Sequence, residues 1–393
     1  MRLADALVAD GHAVKKLIFN VGDAVYWGTR PAVHYRGRQA DYPDFLRTLV
    51  ADGGFSDIVM HGDSRFIHSA AVKVGVENNL RLHVFEEGYF RPNWLTLERG
   101  GINGYSRLPK DPVWYKSLAP HVPIYDNGLQ VRNPTWLLAL HELAYHLPNI
   151  GNYLLYPGYR THRPHVSAVE LAGWAMRFAR LPLLEKRDNQ TINTLIESGQ
   201  PFYFLPLQLD SDSQIRDHSD YDNISQVIDE VVHSFAGHAP KDSLLVIKNH
   251  PHDIGMVAFF SLIADLSRAL DIEGRVIFLE SGNLPLLLSH ARGVITVNST
   301  VGTSALFHRR PLMVLGRAIY DLPGLTFQGR LWDFWTHAEP PDAALFSCFR
   351  NVAIHATQIN GGLYSSHGIR LGVNNCLNSL YADKSPLDVL LEQ

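Results

Sequence analysis

Two doubly wound α/β domains of the Rossmann type are the architecture this sequence predicts, on three observations. Short apolar runs alternate with helix-length segments in both halves of the chain, and such alternation builds parallel sheets with covered faces. A stretch rich in proline and aromatic residues, 108–187, lies between the halves. Polar residues gather directly after the apolar runs, where open α/β sheets place their ligands, beyond the carboxyl ends of the strands. A cleft between the domains is the expected consequence.

Composition sets the frame. A chain of 393 residues at 46% hydrophobic buries a large core and accommodates two domains. A net charge of −4 argues against nucleic acid as the main partner. Cys348 and Cys376 are too few for a disulfide framework, and no CxxC or Cys/His metal spacing occurs, so a reducing cytoplasm and no metal are expected. The opening MRLADALVADGH reads as an amphipathic helix containing acids, without the apolar core of a signal peptide. No run of 18 or more apolar residues is long enough to span a bilayer. The 20 histidines are scattered and read mostly as surface or core residues.

In the first half, residues 2–10 predict a helix stopped by Gly11, 14–20 a strand, and 41–52 a helix. Then follow a strand at 57–61, a helix at 65–77 and a strand at 81–85. A domain of this kind normally opens on a strand and a Gly-rich turn, and both are missing here. Met1 is therefore expected to be an internal start or the product of a shortened gene model. Residues 136–146 (WLLALHELAYH) predict a helix, and 153–187 is rich in Tyr, Trp, Leu and Arg. The latter reads as an interdomain helix whose arginines snorkel over a core, or as an interfacial membrane contact.

The second half restarts the rhythm, with strands expected at 202–207, 243–248, 275–279, 293–297 and 311–315. Helices are expected between them at 224–235, 255–270, 284–290 and 300–307. A C-terminal helix is expected to pack back on the first half. The predicted division is 1–185, 186–345, and a tail at 346–393.

Four stretches carry candidate chemistry. The strand at 81–85 ends in Glu86-Glu87-Gly88, followed by aromatics and Arg91; the plain alternative is a turn with two solvated acids. Next, PLQLDSDSQIRDHS at 206–219 crowds Gln208, Asp210, Asp212, Ser213 and Gln214 after a strand, although helix-capping acids would look the same. Lys248-Asn249-His250-Pro251 ends the strand LLVIK. Its cation and imidazole, held in an extended turn by the proline, suit a phosphate oxygen, while a loop histidine is the alternative. Last, Asn298-Ser299-Thr300-Val301-Gly302-Thr303-Ser304 joins a strand to a helix, a setting that binds anions. Capping explains Ser299 or Thr300 equally well, but not so long a polar run. There is no GxxxxGK[ST] and no GxGxxG, which disfavours NTPase and dinucleotide readings. Together the stretches suit metal-free transfer from a nucleotide-activated sugar carrying a single phosphate. Glu86 or Asp212 would act at the anomeric carbon or the incoming hydroxyl. Lys248, His250 and the helix would neutralise the leaving group.

The order EEGYFRPNWLTLE, GINGYS, PLQLDSDSQI, KNHP and NSTVGTSAL resembles the capsule polysaccharide biosynthesis/export family of Gram-negative bacteria, the KpsS/LipB type, over essentially the whole chain. The resemblance implies a GT-B-like fold and a β-Kdo transferase using CMP-Kdo. Its acceptor would be a (lyso)phosphatidylglycerol, on which it starts the short linker that carries the capsule. The family is also similar to bacterial sialyltransferases, which use acid-acid-Gly, His-Pro and Ser/Thr motifs. Carried over, Glu86 becomes the general acid/base with Glu87 beside it, Asp212 the nucleophile of a retaining reaction, and Asp210 the fallback. His250 contacts the CMP phosphate, and Ser299 and Thr300 bind that phosphate or the ribose. Lys248, Pro251, Asn298 and Gly302 complete the nucleotide pocket, and Gln208, Gln214 and Arg91 contact substrate. No cofactor beyond the donor and no metal is implied. The expected place is the cytoplasmic face of the inner membrane, with a CMP-sugar, a lipid acceptor and other capsule assembly proteins as partners. The alternatives are a non-catalytic export or binding factor, another GT-B enzyme using a sialic acid or UDP-sugar donor, or an inactive remnant that keeps the fold.

Overall fold

The computed structural model describes residues 1–132, 134–160, 167–210, 213–253, 255 and 257–393. The chain divides into two compact units: residues 1–107, 122–162 and 351–393 form the first, and 108–121 with 163–350 the second.

The first unit opens with the helix Arg2–Ala9, then β1 (Lys16–Ile18), the helix Val21–Trp27 and β2 (Ala32–His34), which pairs parallel with β1. The helix Tyr42–Gly53 starts with proline in its first turn and stops at Gly54, whose φ of 59° is the left-handed cap that glycine adopts without strain. It leads into β3 (Asp57–His61), the helix Phe66–Glu77 and β4 (Arg81–Glu87), parallel to β3. Leu82 and Val84 pack with Leu46, Val50 and Val74 from those two helices.

The all-parallel sheet expected of the first half does not continue past β4. β5 (Trp94–Arg99) turns back and pairs antiparallel with it. The reason is chain length: only residues 88–93 connect the two strands, whereas a parallel return needs a crossover of a dozen residues or more. Gly88 makes this turn feasible, because a Cβ there would lie 2.1 Å from the carbonyl oxygen of Trp94.

The second unit carries β6 (Phe202–Pro206), β7 (Leu244–Lys248), β8 (Val276–Leu279), β9 (Gly293–Thr296) and β10 (Leu312–Val314). They pair only in parallel, in the order β10-β9-β6-β7-β8. Strands β6, β7 and β9 are buried throughout, as expected where helices cover both faces of a parallel sheet. Tyr203, Leu245 and Ile295 pack with Val231 and Phe235 of the helix Ile224–His238 and with Trp335. The helix Ser167–Ser198 also belongs to this unit.

The last strand, β11 (Gln358–Asn360), returns to the first unit and pairs antiparallel with β5. The helix Ser366–Tyr381 packs beside it, placing Cys376 and Leu380 against Leu97 and Ile359. Both units are thus α/β with parallel strand pairs, as the alternating pattern predicts. Among the described residues no helix is long and apolar enough to cross a membrane.

Candidate functional site

In the second unit the strand order reverses between β6 and β9. One connection leaves β6 toward β7, and the other leaves β9 toward β10. The loops at the carboxyl ends of these two strands therefore diverge, which opens the crevice where doubly wound sheets bind ligands. Gln208 and Asn298 stand there. Gln208 is buried and donates from Nε2 to Asn298 Oδ1 at 2.9 Å, while its Oε1 accepts from the Asn298 backbone N–H at 3.3 Å. Asn298 Nδ2 donates to the carbonyls of Gln214 (2.7 Å) and His218 (3.2 Å). One side chain thus fixes the β9 loop, the β6 loop and the helix Ser213–His218 together.

Beside it, Ser299 Oγ accepts from Val301 N at 3.2 Å, and the Tyr320 hydroxyl donates to the Ser299 carbonyl. Gly302 is required by that contact, since a Cβ on it would come within 2.3 Å of the Tyr320 hydroxyl oxygen. Thr300 precedes the helix Val301–Phe307 and is half-buried. Asp210 accepts from Ile224 N at 3.0 Å and so satisfies the start of the helix Ile224–His238. Asp212 lies outside the described residues, as does the side chain of Ser213.

The turn after β7 is held from several sides. Lys248 is buried, with Nζ 3.3 Å from the Asn249 carbonyl. Burial, and then the nearby Arg177 guanidinium, push the ammonium's pKa below its usual value. Asn249 donates to Asp253 (2.7 Å) and Glu280 (3.0 Å), and its Oδ1 accepts from His250 N at 2.8 Å. His250 Nδ1 accepts from His252 N at 3.1 Å. A backbone N–H on Nδ1 requires its lone pair, so the neutral imidazole carries its proton on Nε2.

Arg177, from the helix Ser167–Ser198, was not singled out by the sequence. It is buried and donates to the carbonyls of Pro251 (3.2 Å), His250 (3.3 Å) and Glu280 (3.2 Å), with the Glu280 carboxylate 3.4 Å away. Asp188 accepts from Glu280 N and Ser281 N at 2.8 and 2.9 Å. Arg177 and Asp188 are eleven residues apart, close to three turns and so on one face of the helix. That spacing is the signal that could have found them. The stretch read as snorkelling arginines instead buries one of them to position the His-Pro turn.

In the first unit, Glu86 and Glu87 are adjacent on β4, so their side chains leave opposite faces. Glu86 Oε1 lies 3.9 Å from His61 Nε2, at the end of the neighbouring strand, and accepts from Glu87 N at 3.1 Å. Glu87 pairs with Arg91 at 2.6 Å and accepts from the Tyr364 hydroxyl at 3.3 Å. Arg91 is thereby an ion-pair partner of Glu87. Under the turn, buried Glu98 accepts from Tyr89 at 2.6 Å and from Ser106 at 2.5 Å. Burial pushes its pKa up to about 7. His61 and Glu98 were also not singled out: Glu98 closes the stretch EEGYFRPNWLTLE but lies eleven residues past the acid pair, and His61 belongs to no recognised motif.

Comparison with known proteins places the chain in a family. Residues 56–364 match a family described as capsule polysaccharide biosynthesis protein. The chain is 36% identical over 367 residues to the capsule polysaccharide export protein KpsS of Escherichia coli, covering 92% of this chain and 93% of that protein. It is 35% identical over 375 residues to the capsule polysaccharide modification protein LipB of Neisseria meningitidis serogroup A, covering 93% and 88%. Among solved structures, the Thermosulfurimonas dismutans KpsC β-Kdo 2,7 transferase aligns at a TM-score of 0.44 and 15% identity, covering 93% of this chain and 99% of that one.

Proposed function

We propose that this chain, which belongs to the capsule polysaccharide biosynthesis protein family, is a glycosyltransferase that moves β-Kdo from CMP-Kdo to a (lyso)phosphatidylglycerol acceptor, with retention. One observation carries the transferase reading. The switch point of the second unit is a built polar crevice, with Gln208 and Asn298 locked together and diverging loops at the carboxyl ends of β6 and β9. Kdo, CMP and the lipid acceptor rest on the resemblance of the acid-acid-Gly, His-Pro and Ser/Thr motifs.

In this reading Asn298, Ser299, Thr300 and Gly302 form the wall that receives the nucleotide. Lys248 and the Nε2–H of His250 stabilise the departing CMP phosphate. The Asp212 carboxylate attacks the anomeric carbon as the C–O bond to the phosphate breaks, giving a glycosyl-enzyme ester. Glu86 then takes the proton of the acceptor hydroxyl, whose oxygen displaces Asp212 and restores the starting configuration. Gln208, Gln214 and Pro251 shape the donor side, and Asp210 holds the start of the helix Ile224–His238. Glu87 and Arg91 pair beside the general base.

A lipid acceptor calls for contact with a bilayer. Trp136, Leu140, Leu143, Leu147 and Ile150 follow helical spacing and are all exposed, Trp136 at 68%, with Tyr153 at 80% and Leu154 at 88% just beyond. Apolar residues at that spacing, with an indole and a phenol among them, suit the headgroup boundary. This moves the proposed contact to residues 136–155, ahead of the stretch at 153–187 that sequence alone suggested.

The test is product formation from CMP-Kdo generated in situ and a fluorescent lysophosphatidylglycerol, with Glu86→Gln and Asp212→Ala alongside. Product from the intact chain and none from either variant is the expected result. No product, with CMP still slowing amide exchange in the loop after β9, would assign another sugar or acceptor. Neither product nor CMP binding would overturn the transferase and favour a non-catalytic export role.

A further inference from the structure

The helix Thr135–His146 and the turns that continue it to Leu155 are amphipathic in the reverse sense. Trp136, Leu140, Leu143 and Leu147 stand exposed on the outer face. The opposite face is polar and half-buried, at His141, Tyr145, Asn149 and Asn152. The Tyr26 hydroxyl lies 2.8 Å from His141 Nδ1, and Asn20 Nδ2 donates to the Tyr145 hydroxyl at 3.0 Å. Asn149 Oδ1 and Asn152 Oδ1 accept from Gly22 N and Val21 N at 2.7 and 2.8 Å. A helix between water and a core hides its apolar stripe and shows its polar one. This one covers a space that calls for hydrogen bonds.

That space is the polar end of a cavity of about 990 Å³ between β1 and β3, lined only by residues of the first unit. Its volume is at the top of the range for small-molecule sites. The strands themselves give apolar walls, through Leu17, Ile58 and Met60. The polar lining comes from their carboxyl ends, with Asn20 and Asp23 after β1 and His61 and Arg65 at the end of β3. This is the edge at which α/β sheets hold ligands. His141, Glu142 and Tyr145 meet it from the helix, and Tyr364 completes the wall. The polar set continues to the acid pair. The Tyr364 ring lies 6.5 Å from that of His141, and its hydroxyl 3.3 Å from Glu87 Oε1. His61 Nε2 and Glu86 Oε1 are 3.9 Å apart, too far for a hydrogen bond to each other, while one hydroxyl can touch both.

The charges narrow the ligand further. Asp57 pairs with Arg81 at 2.8 Å, and Glu142 lies 3.2 Å from His146. Asp23 accepts from Phe19 N at 3.2 Å and from the Tyr145 hydroxyl at 3.1 Å. Arg65 and Arg160 line the same cavity and are exposed, and among the described residues neither has a carboxylate partner. Two guanidinium groups suit a phosphate, and the hydroxyl, amide and imidazole groups around them suit a diol. We infer, resting on the transferase reading above, that the polar end of this cavity seats the acceptor's headgroup, a phosphodiester that carries a glycerol-type diol. One hydroxyl of the diol lies between His61 and Glu86 and donates to Glu86, the direction in which its proton leaves on transfer. Arg65 and Arg160 answer the phosphate charge. The acyl chain leaves toward the bilayer that the outer face of the helix meets.

The experiment follows amide exchange of the full chain over residues 20–27 and 141–146 with three probes. Glycerophosphoglycerol is the headgroup without a chain, lysophosphatidylglycerol has both, and lysophosphatidylcholine lacks the headgroup diol. Glycerophosphoglycerol is expected to slow exchange saturably, by roughly threefold or more. Lysophosphatidylglycerol should do so at lower concentration, and lysophosphatidylcholine should leave residues 20–27 unchanged. Protection by both lysolipids with none from glycerophosphoglycerol would assign the contact to the chain and overturn the seat. Glycerophosphoglycerol that binds as tightly as lysophosphatidylglycerol would make a soluble compound the ligand and overturn the lipid's place there. These readings need no turnover, so protection without product would keep the headgroup seat and overturn the transferase. Where product forms, Arg65→Gln and Tyr364→Phe are expected to raise KM for the acceptor roughly tenfold, with KM for CMP-Kdo unchanged. Arg65→Lys should recover part of that loss. An acceptor KM unchanged in both variants would overturn the seat and leave the transferase standing.

Discussion

Gln208 Nε2 donates to Asn298 Oδ1 at 2.9 Å, and the Asn298 backbone N–H returns a hydrogen bond to Gln208 Oε1 at 3.3 Å. The pair joins the ends of β6 and β9 where the sheet's winding changes direction. Asn298→Ala would leave the Gln208 amide and the carbonyls of Gln214 and His218 to find new partners. The expected cost is about 2 kcal/mol of stability, read by urea unfolding, together with at least a tenfold weaker CMP affinity by calorimetry. A variant that binds CMP as the parent does would remove the β9 loop from the nucleotide site.

Arg177 is the single cation holding the carbonyls of His250, Pro251 and Glu280 among the described residues. Arg177→Leu removes the guanidinium and leaves three carbonyls and the Glu280 carboxylate without it. Unfolding is expected to become easier by about 3 kcal/mol. Arg177→Lys, which keeps the charge but not the fork, should retain most of that stability while raising KM for the donor more than it lowers kcat. Equal loss of kcat and kcat/KM would show that the turn acts only in the transition state.

Glu98 gives the protein a pH signature. Its carboxyl is buried, and its pKa rises from 4.5 to about 7. Between those two values the folded protein holds a proton there that the unfolded chain has released. Stability from this group is therefore full below about pH 4.5, falls as pH rises toward 7, and is flat above it. The difference across the window is on the order of 3 kcal/mol. Glu98→Gln, compared with the parent by urea unfolding at pH 5 and pH 8, should lose that difference. An unchanged pH slope would mean that Glu98 is ionised in the fold.

Gly302→Ala places a methyl group on the Tyr320 ring, whose hydroxyl holds the Ser299 carbonyl. The tyrosine must move, and the expected penalty is about 1–3 kcal/mol. Tyr320→Leu combined with Gly302→Ala tests the cause: the pair should be less than additive, because the first change removes the hydroxyl and ring atoms that would lie 2.3–2.6 Å from the new methyl group. Full additivity would assign the glycine's role to something other than this packing.

How much of this was legible in the sequence follows from how each feature is encoded. The five strands of the second unit announced themselves because β6, β7 and β9 are buried on both faces and so read as unbroken apolar runs. The polar stretches after them were visible for the same reason, as interruptions of a regular pattern. Glu86-Glu87-Gly88 was found in this way, and its glycine is explained by the approach of Trp94. β5 was not recognised as an antiparallel return, because its apolar run alone does not give a strand's direction.

Local pattern therefore determined the α/β class, the parallel sheet of the second unit and the loops that bear its polar residues. Only the tertiary structure decided which of those residues face one another. Arg177 meets Pro251 across 74 positions, Gln208 meets Asn298 across 90, and Tyr364 meets Glu87 across 277. The same is true of the cavity between β1 and β3, which exists only once two separate sheets have taken their places. Periodicity records which face of an element is apolar, a property of neighbouring residues. Pairing between distant loops is set by strand order and helix packing, which no short stretch of chain contains.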